Sequence, residues 1–149
     1  MQTNTHKLLT ITIPSFNRNK LLKDNLIKLL SVSNIDKCKI LVIDNNSDIK
    51  VQETLEDINY SKHDIEIVRN NINIGITGNI LKCFELCKTK WMWILGDDDV
   101  VFEDSIDTIM TSISSVDNDV ISINFGSSID QIDRTTYQYA SNTYELTKS

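Results

Sequence analysis

Five short apolar runs, at residues 8–13, 39–43, 65–68, 91–95 and 120–125, alternate with stretches whose apolar residues recur at helical spacing. Runs this short, with Ile and Val prominent in most of them, fit strands better than buried helices. Strands separated by helices cannot pair as tight hairpins, so each connection must cross over. The pattern therefore predicts a mostly parallel sheet covered by helices on both faces, a Rossmann-like α/β sandwich. With 149 residues, one domain over 1–149 is expected. The signal weakens beyond Gly126, where 126–149 reads as a weakly patterned tail. Within it, 137–139 and 143–146 read as strands that pair together or need further sequence or a partner to order them.

The helices follow from spacing. Leu21, Leu22, Leu26, Leu29 and Leu30 predict an amphipathic helix from Asn19 to about Val32, and residues 51–58 predict a second. Asn70-Asn71-Ile72-Asn73-Ile74-Gly75 is a loop of residues that tolerate unusual backbone angles. Thr77 or Gly78 then opens a third helix, with Ile80, Leu81, Phe84, Leu86 and Cys87 expected on its buried side, and a fourth spans about 104–114.

A formal charge of −6 and scattered basic residues argue against a nucleic-acid partner, which demands clustered Lys and Arg. No apolar run approaches the roughly 18 residues of a membrane span. A soluble, cytoplasmic chain is expected, with the inner membrane face reached only through a partner. Cys38, Cys83 and Cys87 are odd in number and lack C-x-x-C spacing, so they read as core thiols. His6 and His63 stand in weakly patterned segments and do not suggest a catalytic base.

In a parallel sheet the carboxyl ends of the strands share one rim, where ligands bind. That rim receives Pro14-Ser15-Phe16-Asn17-Arg18, then Asp44-Asn45-Asn46-Ser47-Asp48, then Gly96-Asp97-Asp98-Asp99. Phe16 offers a ring to stack on, and Asp44 a carboxylate for a base or ribose. The last three carboxylates repel one another and require compensation. Their hard oxygens suit Mg2+ or Mn2+, which bind through a few carboxylates and keep positions for phosphate oxygens. Simpler roles stand beside these: an exposed acidic turn, an Asx turn or helix cap for Asp44, packing for Phe16, and a surface ion pair for Arg18. The dinucleotide fingerprint G-x-G-x-x-G is absent after the first strand, which argues against an NAD or FAD site.

Four segments, in order, resemble family 2 of the GT-A glycosyltransferases. They are Thr12-Ile13-Pro14-Ser15-Phe16-Asn17-Arg18, Val42-Ile43-Asp44-Asn45-Asn46-Ser47-Asp48, Arg69-Asn70 through Gly75 to Asn79, and Trp93-Ile94-Leu95-Gly96-Asp97-Asp98-Asp99. The Asp-Asn-Asn-Ser turn and Gly-Asp-Asp-Asp ending look closest to the abequosyltransferase-like branch, associated with bacterial surface polysaccharide of the O-antigen or capsule type. The resemblance implies a donor site for a UDP- or CDP-linked sugar, with a glycan or lipid-linked acceptor. Pro14, Phe16, Arg18, Asp44, Asn79, Asp97 and Asp98 would bind the nucleotide. Asp99, with Asp97, would hold the metal. The family's general base and acceptor region lie further downstream, so the acceptor part is expected to be missing. None of Asp130, Asp133 and Glu145 matches that base, and no catalytic residue is assigned. Completion by a partner chain or self-association is expected. Two other readings use the same residues: a nucleotide-sugar-binding domain without turnover, and a haloacid-dehalogenase-type phosphatase with Asp97 as nucleophile.

Overall fold

The computed structural model describes residues 7–123 and 125, together with the backbone of 137–138. The chain divides into two compact units, Met1–Ile106 and Asp107–Ser149. In the first unit the elements run β1 (Leu9–Ser15), α1 (Asn19–Ser31), β2 (Cys38–Asp44), α2 (Val51–Thr54), β3 (Asp64–Arg69), α3 (Gly75–Leu86) and β4 (Trp91–Ile94). The helix α4 (Ser105–Ser115) carries the division between the units.

The four strands form one parallel sheet in the order β3-β2-β1-β4. Ser15 stands opposite Asp44, and Asp44 opposite Arg69, so β1, β2 and β3 end level with one another. Thr12 stands opposite Ile94, and the chain of β4 leaves the sheet three residues before Asp97. These registers bring the polar loops to one rim.

The two central strands are buried on both faces, as side chains alternating across a sandwiched sheet require. Leu41 and Ile43 pack with Cys83 of α3, and Val68, Leu86 and Met92 close round them. The alternate residues Ile11, Ile13, Ile40 and Val42 are equally buried, as are Leu22, Leu26 and Leu29 of α1. Each such side chain contributes about 1.5–3 kcal/mol when removed from water. Trp91, Met92, Trp93 and Ile94 are half-buried, consistent with the last place of β4 in the described sheet order.

Three expectations are corrected. α2 is a single turn, Val51–Thr54, rather than a helix to Ile58; Leu55 is buried at its end and turns follow. α3 begins at Gly75, whose φ of +75° suits a residue without a Cβ. Its buried residues are Asn79 and Cys83, whereas Leu81 and Phe84, expected inside, are 62% and 60% exposed. On that face Asn79 donates to the Ile43 carbonyl at 3.2 Å, beside the packing of Cys83 and Leu86 against Leu41 and Ile43. At Gly96, just past β4, a Cβ would lie 2.8 Å from Asp99 Oδ2, so the acidic turn uses the room that glycine leaves.

In the second unit β5 (Ser122–Ile123) pairs antiparallel with β6 (Tyr137–Gln138). The strand expected at 120–125 is thus short; 143–146, expected to pair with 137–139, lies outside the described residues, as do Asp130, Asp133 and Glu145.

Candidate functional site at the sheet rim

The loop after β1 is held by backbone choices that asparagine permits. Asn17 (φ 54°) and Asn46 (φ 65°) both adopt the left-handed region, where Asn is favoured over most residues. The Asn17 N–H donates to Ser47 Oγ at 2.9 Å, its amide donates to Asp48, and the Asp48 N–H returns to Asn17 Oδ1 at 2.8 Å. The first two rim loops are thereby clamped together. Between them Phe16 stays 41% exposed, with its ring available to a flat ligand, and Pro14 is half-buried.

Asp44 has no solvent-exposed surface. Its Oδ1 accepts the Ser47 N–H at 2.8 Å; Oδ2 accepts the Val51 N–H at 3.3 Å and the Arg69 guanidinium. Burial works against its ionisation. Hydrogen bonds from the Ser47 backbone and hydroxyl, from Arg69 and from Val51 outweigh burial and hold the pKa below the usual carboxylate value. The resemblance implied a contact between Asp44 and a base; in this structure the carboxylate is engaged by Ser47, Val51 and Arg69. Asp44 instead caps α2 and shapes the turn. Arg69 completes that turn by donating to Asn46 Oδ1 and the Ser47 carbonyl.

Asn79 likewise sits within the scaffold. It accepts from Asn70 Nδ2 at 2.9 Å, Asn70 also donates to Asn45 Oδ1 at 3.0 Å, and that oxygen accepts the Ile74 N–H. Asn45, Asn70 and Asn79 are all buried, so this amide ladder ties the ends of β2 and β3 to the start of α3. Lys82, one turn onward, pairs with Glu85 rather than lining the rim.

The acidic turn is compensated from three sides. Ser15 Oγ donates to Asp97 Oδ2 at 2.7 Å, Asn25 of α1 donates to the Asp97 carbonyl at 2.7 Å, and Arg18 Nη1 reaches Asp97 Oδ1 at 3.1 Å. Arg18 also reaches Asp98 Oδ2 at 2.6 Å, and these two carboxylates raise its pKa further. Asp99 Oδ2 accepts the Gly96 N–H at 2.8 Å. Asp97 is 6% exposed, whereas Asp98 and Asp99 face solvent. Arg18, Asp97 and Asp98 are brought together as the sequence suggested.

Ser15, Asn45, Arg69 and Asn70 lie in the segments singled out in the sequence without a role assigned to them, and Asn25 lies outside those segments; the structure shows all five building the site. Asn25, a weak helix former directly before the buried Leu26, gave a faint signal. The others look like ordinary loop or strand-end residues.

Among the described residues no three His, Cys, Asp or Glu side chains converge as a ready metal cage. The donor set nevertheless fits a hard divalent cation. Asp99, the expected ligand, is an exposed carboxylate, while both oxygens of Asp97 are engaged by Ser15 and Arg18; Mg2+ or Mn2+ beside a diphosphate needs only one or two such ligands.

A parallel α/β sheet whose carboxyl rim gathers an exposed ring, an arginine and an acidic turn is of the class that offers its strand ends to a ligand. More narrowly, the chain belongs to glycosyl transferase family 2, which it matches over residues 10–148. It is 27% identical over 113 residues to abequosyltransferase RfbV of Salmonella typhimurium, covering 72% of this chain and 33% of that protein. The fold is the GT-A fold. It matches residues 1–349 of TarS from S. aureus with a TM-score of 0.64 and 14% identity, over 71% of this chain and 32% of that one. It also matches mannosyltransferase PcManGT from Pyrobaculum calidifontis, solved with GDP-Man and Mn2+, with a TM-score of 0.64 and 15% identity. That match covers 76% of this chain and 33% of the other. The chain thus spans about a third of the length of these relatives.

Proposed function

We propose that this chain forms the donor-binding part of a glycosyltransferase that transfers a sugar from a nucleoside diphosphate to an acceptor hydroxyl in surface-polysaccharide assembly. The observation that carries the reading is the meeting of Phe16, Arg18 and Asp97–Asp99 on one rim of a family 2 fold. TarS has been solved with UDP and with UDP-GlcNAc, and PcManGT with GDP-Man, which supports a nucleotide sugar as the ligand. The polysaccharide context draws on the similarity to RfbV.

Phe16 offers its face to the base, as the exposed ring at the end of β1. Pro14 fixes the backbone leading to it. Asp44 and Asn79 hold the loops that form the nucleotide's floor. Asp97, anchored by Ser15 and Asn25, is placed to meet the ribose or metal-bound water. Asp99, with Asp97, would hold Mn2+ or Mg2+, which when bound supplies Lewis-acid stabilisation of the charge that builds on the departing diphosphate. UDP and CDP are the donor nucleotides proposed. Among the described residues no general base is assigned, and the acceptor side is proposed to come from sequence or a partner chain beyond this unit.

Calorimetric titration of UDP and CDP, with and without Mn2+, against the wild type and Asp99→Ala tests the reading. Metal-dependent binding lost in the variant is expected. A folded wild type that binds neither nucleotide refutes it. Binding without donor hydrolysis or transfer would assign this chain to binding alone. The phosphatase reading has less support, because β1 carries no aspartate and ends in Ser15.

A further inference from the structure

Three consecutive carboxylates on a sheet rim must be neutralised even when no ligand is bound, and this chain does so with its own cation. Arg18 Nη1 lies 3.1 Å from Asp97 Oδ1 and 2.6 Å from Asp98 Oδ2. The two carboxylates are held very differently. Asp97, with 7% of its side chain exposed, is also fixed by Ser15 and, at its backbone, by Asn25. Asp98 and Arg18 are both 50% exposed, so theirs is a surface pair that solvent weakens and a stronger ion can displace.

We propose that Arg18 is a built-in counter-ion of the acidic rim, which releases Asp98 when a divalent cation arrives with the diphosphate and then pairs with the diphosphate itself. This rests on the donor-site reading above. A divalent cation held by Asp99 and Asp97 competes with the guanidinium for this acidic turn, because two cations a few ångströms apart repel. Once displaced, the guanidinium stays at the rim, since Arg18 directly precedes α1 and its carbonyl accepts the Leu22 N–H. Its forked donors match phosphate oxygens in a way that a point charge does not. Metal alone must therefore displace Arg18 without recompense, whereas metal with diphosphate gives it a new partner. The consequence is a positive coupling between the two ligands, and a rim that resists free metal.

The test is Mn2+ binding to the full chain, followed by electron paramagnetic resonance of the free ion, with and without saturating UDP. The wild type is compared with Arg18→Gln and Arg18→Lys. Arg18→Gln is expected to bind Mn2+ alone at least about fivefold more tightly, while the gain in Mn2+ affinity from UDP shrinks by a similar factor. Arg18→Lys keeps the charge without the fork and falls between. A purely structural role for Arg18 would weaken both modes of binding together. Unchanged or weaker Mn2+ binding by folded Arg18→Gln overturns the proposal. An independent arm is Asp98→Asn, which removes one of the two carboxylates holding Arg18 and leaves only Asp97 Oδ1 at 3.1 Å; metal-free UDP should then bind more tightly than to wild type, and equal or weaker binding also overturns it. If the wild type binds neither Mn2+ nor UDP, the donor-site reading itself has failed. If the wild type binds both and only the variants misbehave, the counter-ion role alone has failed.

Discussion

Replacing Asp44 by Asn should cost the sheet unit about 2–4 kcal/mol, although the change deletes no atom from the core. Asp44 is buried and acts only as an acceptor: Oδ1 takes the Ser47 N–H, and Oδ2 takes the Val51 N–H and Arg69. An amide satisfies one of these positions and presents an NH2 donor to the donors at the other. If the amide oxygen keeps Ser47, the charge-assisted bond to Arg69 is lost, a loss of about 1.5–3 kcal/mol, and the Val51 N–H is left short of an acceptor. Arg69 is not orphaned, because it still donates to Asn46 and the Ser47 carbonyl, which keeps the total below that of a fully broken buried pair. With a urea m-value of about 2 kcal/mol/M, the midpoint falls by about 1–2 M. Trp91 and Trp93 both lie in β4, so their fluorescence reports this unit. The loss should also vanish in acid. The folded pKa of Asp44 is depressed, so its contribution is complete above the ordinary Asp value of about 3.9 and is lost as pH falls through the lower folded value. A midpoint shift below about 0.3 M at pH 7, or a gap between wild type and variant that does not narrow as acid is added below the ordinary Asp value, would refute the scaffold role of Asp44.

Other outcomes follow from the same geometry. Asn79→Ala strips partners from buried Asn70 and from the Ile43 carbonyl, and thermal or urea unfolding should show a loss of about 2–4 kcal/mol. Phe84→Ser should change stability by no more than about 0.5 kcal/mol, whereas a core position would lose several; a large urea shift would restore the periodicity reading of α3. Gly96→Ala puts a methyl 2.8 Å from Asp99 Oδ2 and should weaken Mn2+-dependent UDP binding about tenfold while leaving the unfolding midpoint nearly unmoved, since only a solvent-facing side chain must swing aside. Burial pushes the Cys38 thiol up to about 11. Its contribution to stability is therefore present below the unfolded value near 8.5 and is lost as pH rises through about 11; Cys38→Ala should flatten that alkaline decline.

Much of the fold was legible because short β-branched runs and leucine spacing report the local period of the backbone. β1, α1, β2, β3 and β4 fall within a residue or two of where those patterns put them. The rim was legible too, because parallel strands must deliver their carboxyl ends to one side, and Arg18, Asp97 and Asp98 do meet there. The inward face of α3 was not legible. Its apolar residues are spread around the helix, and the face turned inward is the one that joins the packing of Cys83 and Leu86 to a hydrogen bond from Asn79 to Ile43, a contact across 36 residues. Neither was the fate of Asp44, for a carboxylate at a strand end is equally suited to a ligand or to a turn until Arg69 is placed beside it. By itself the sequence determined the alternation of elements, the parallel sheet and the set of polar residues sent to its rim, since these depend on local period and chain connectivity. Only the tertiary structure decided which of those polar groups face a ligand and which satisfy one another, because that outcome is settled by distances between loops far apart in the chain.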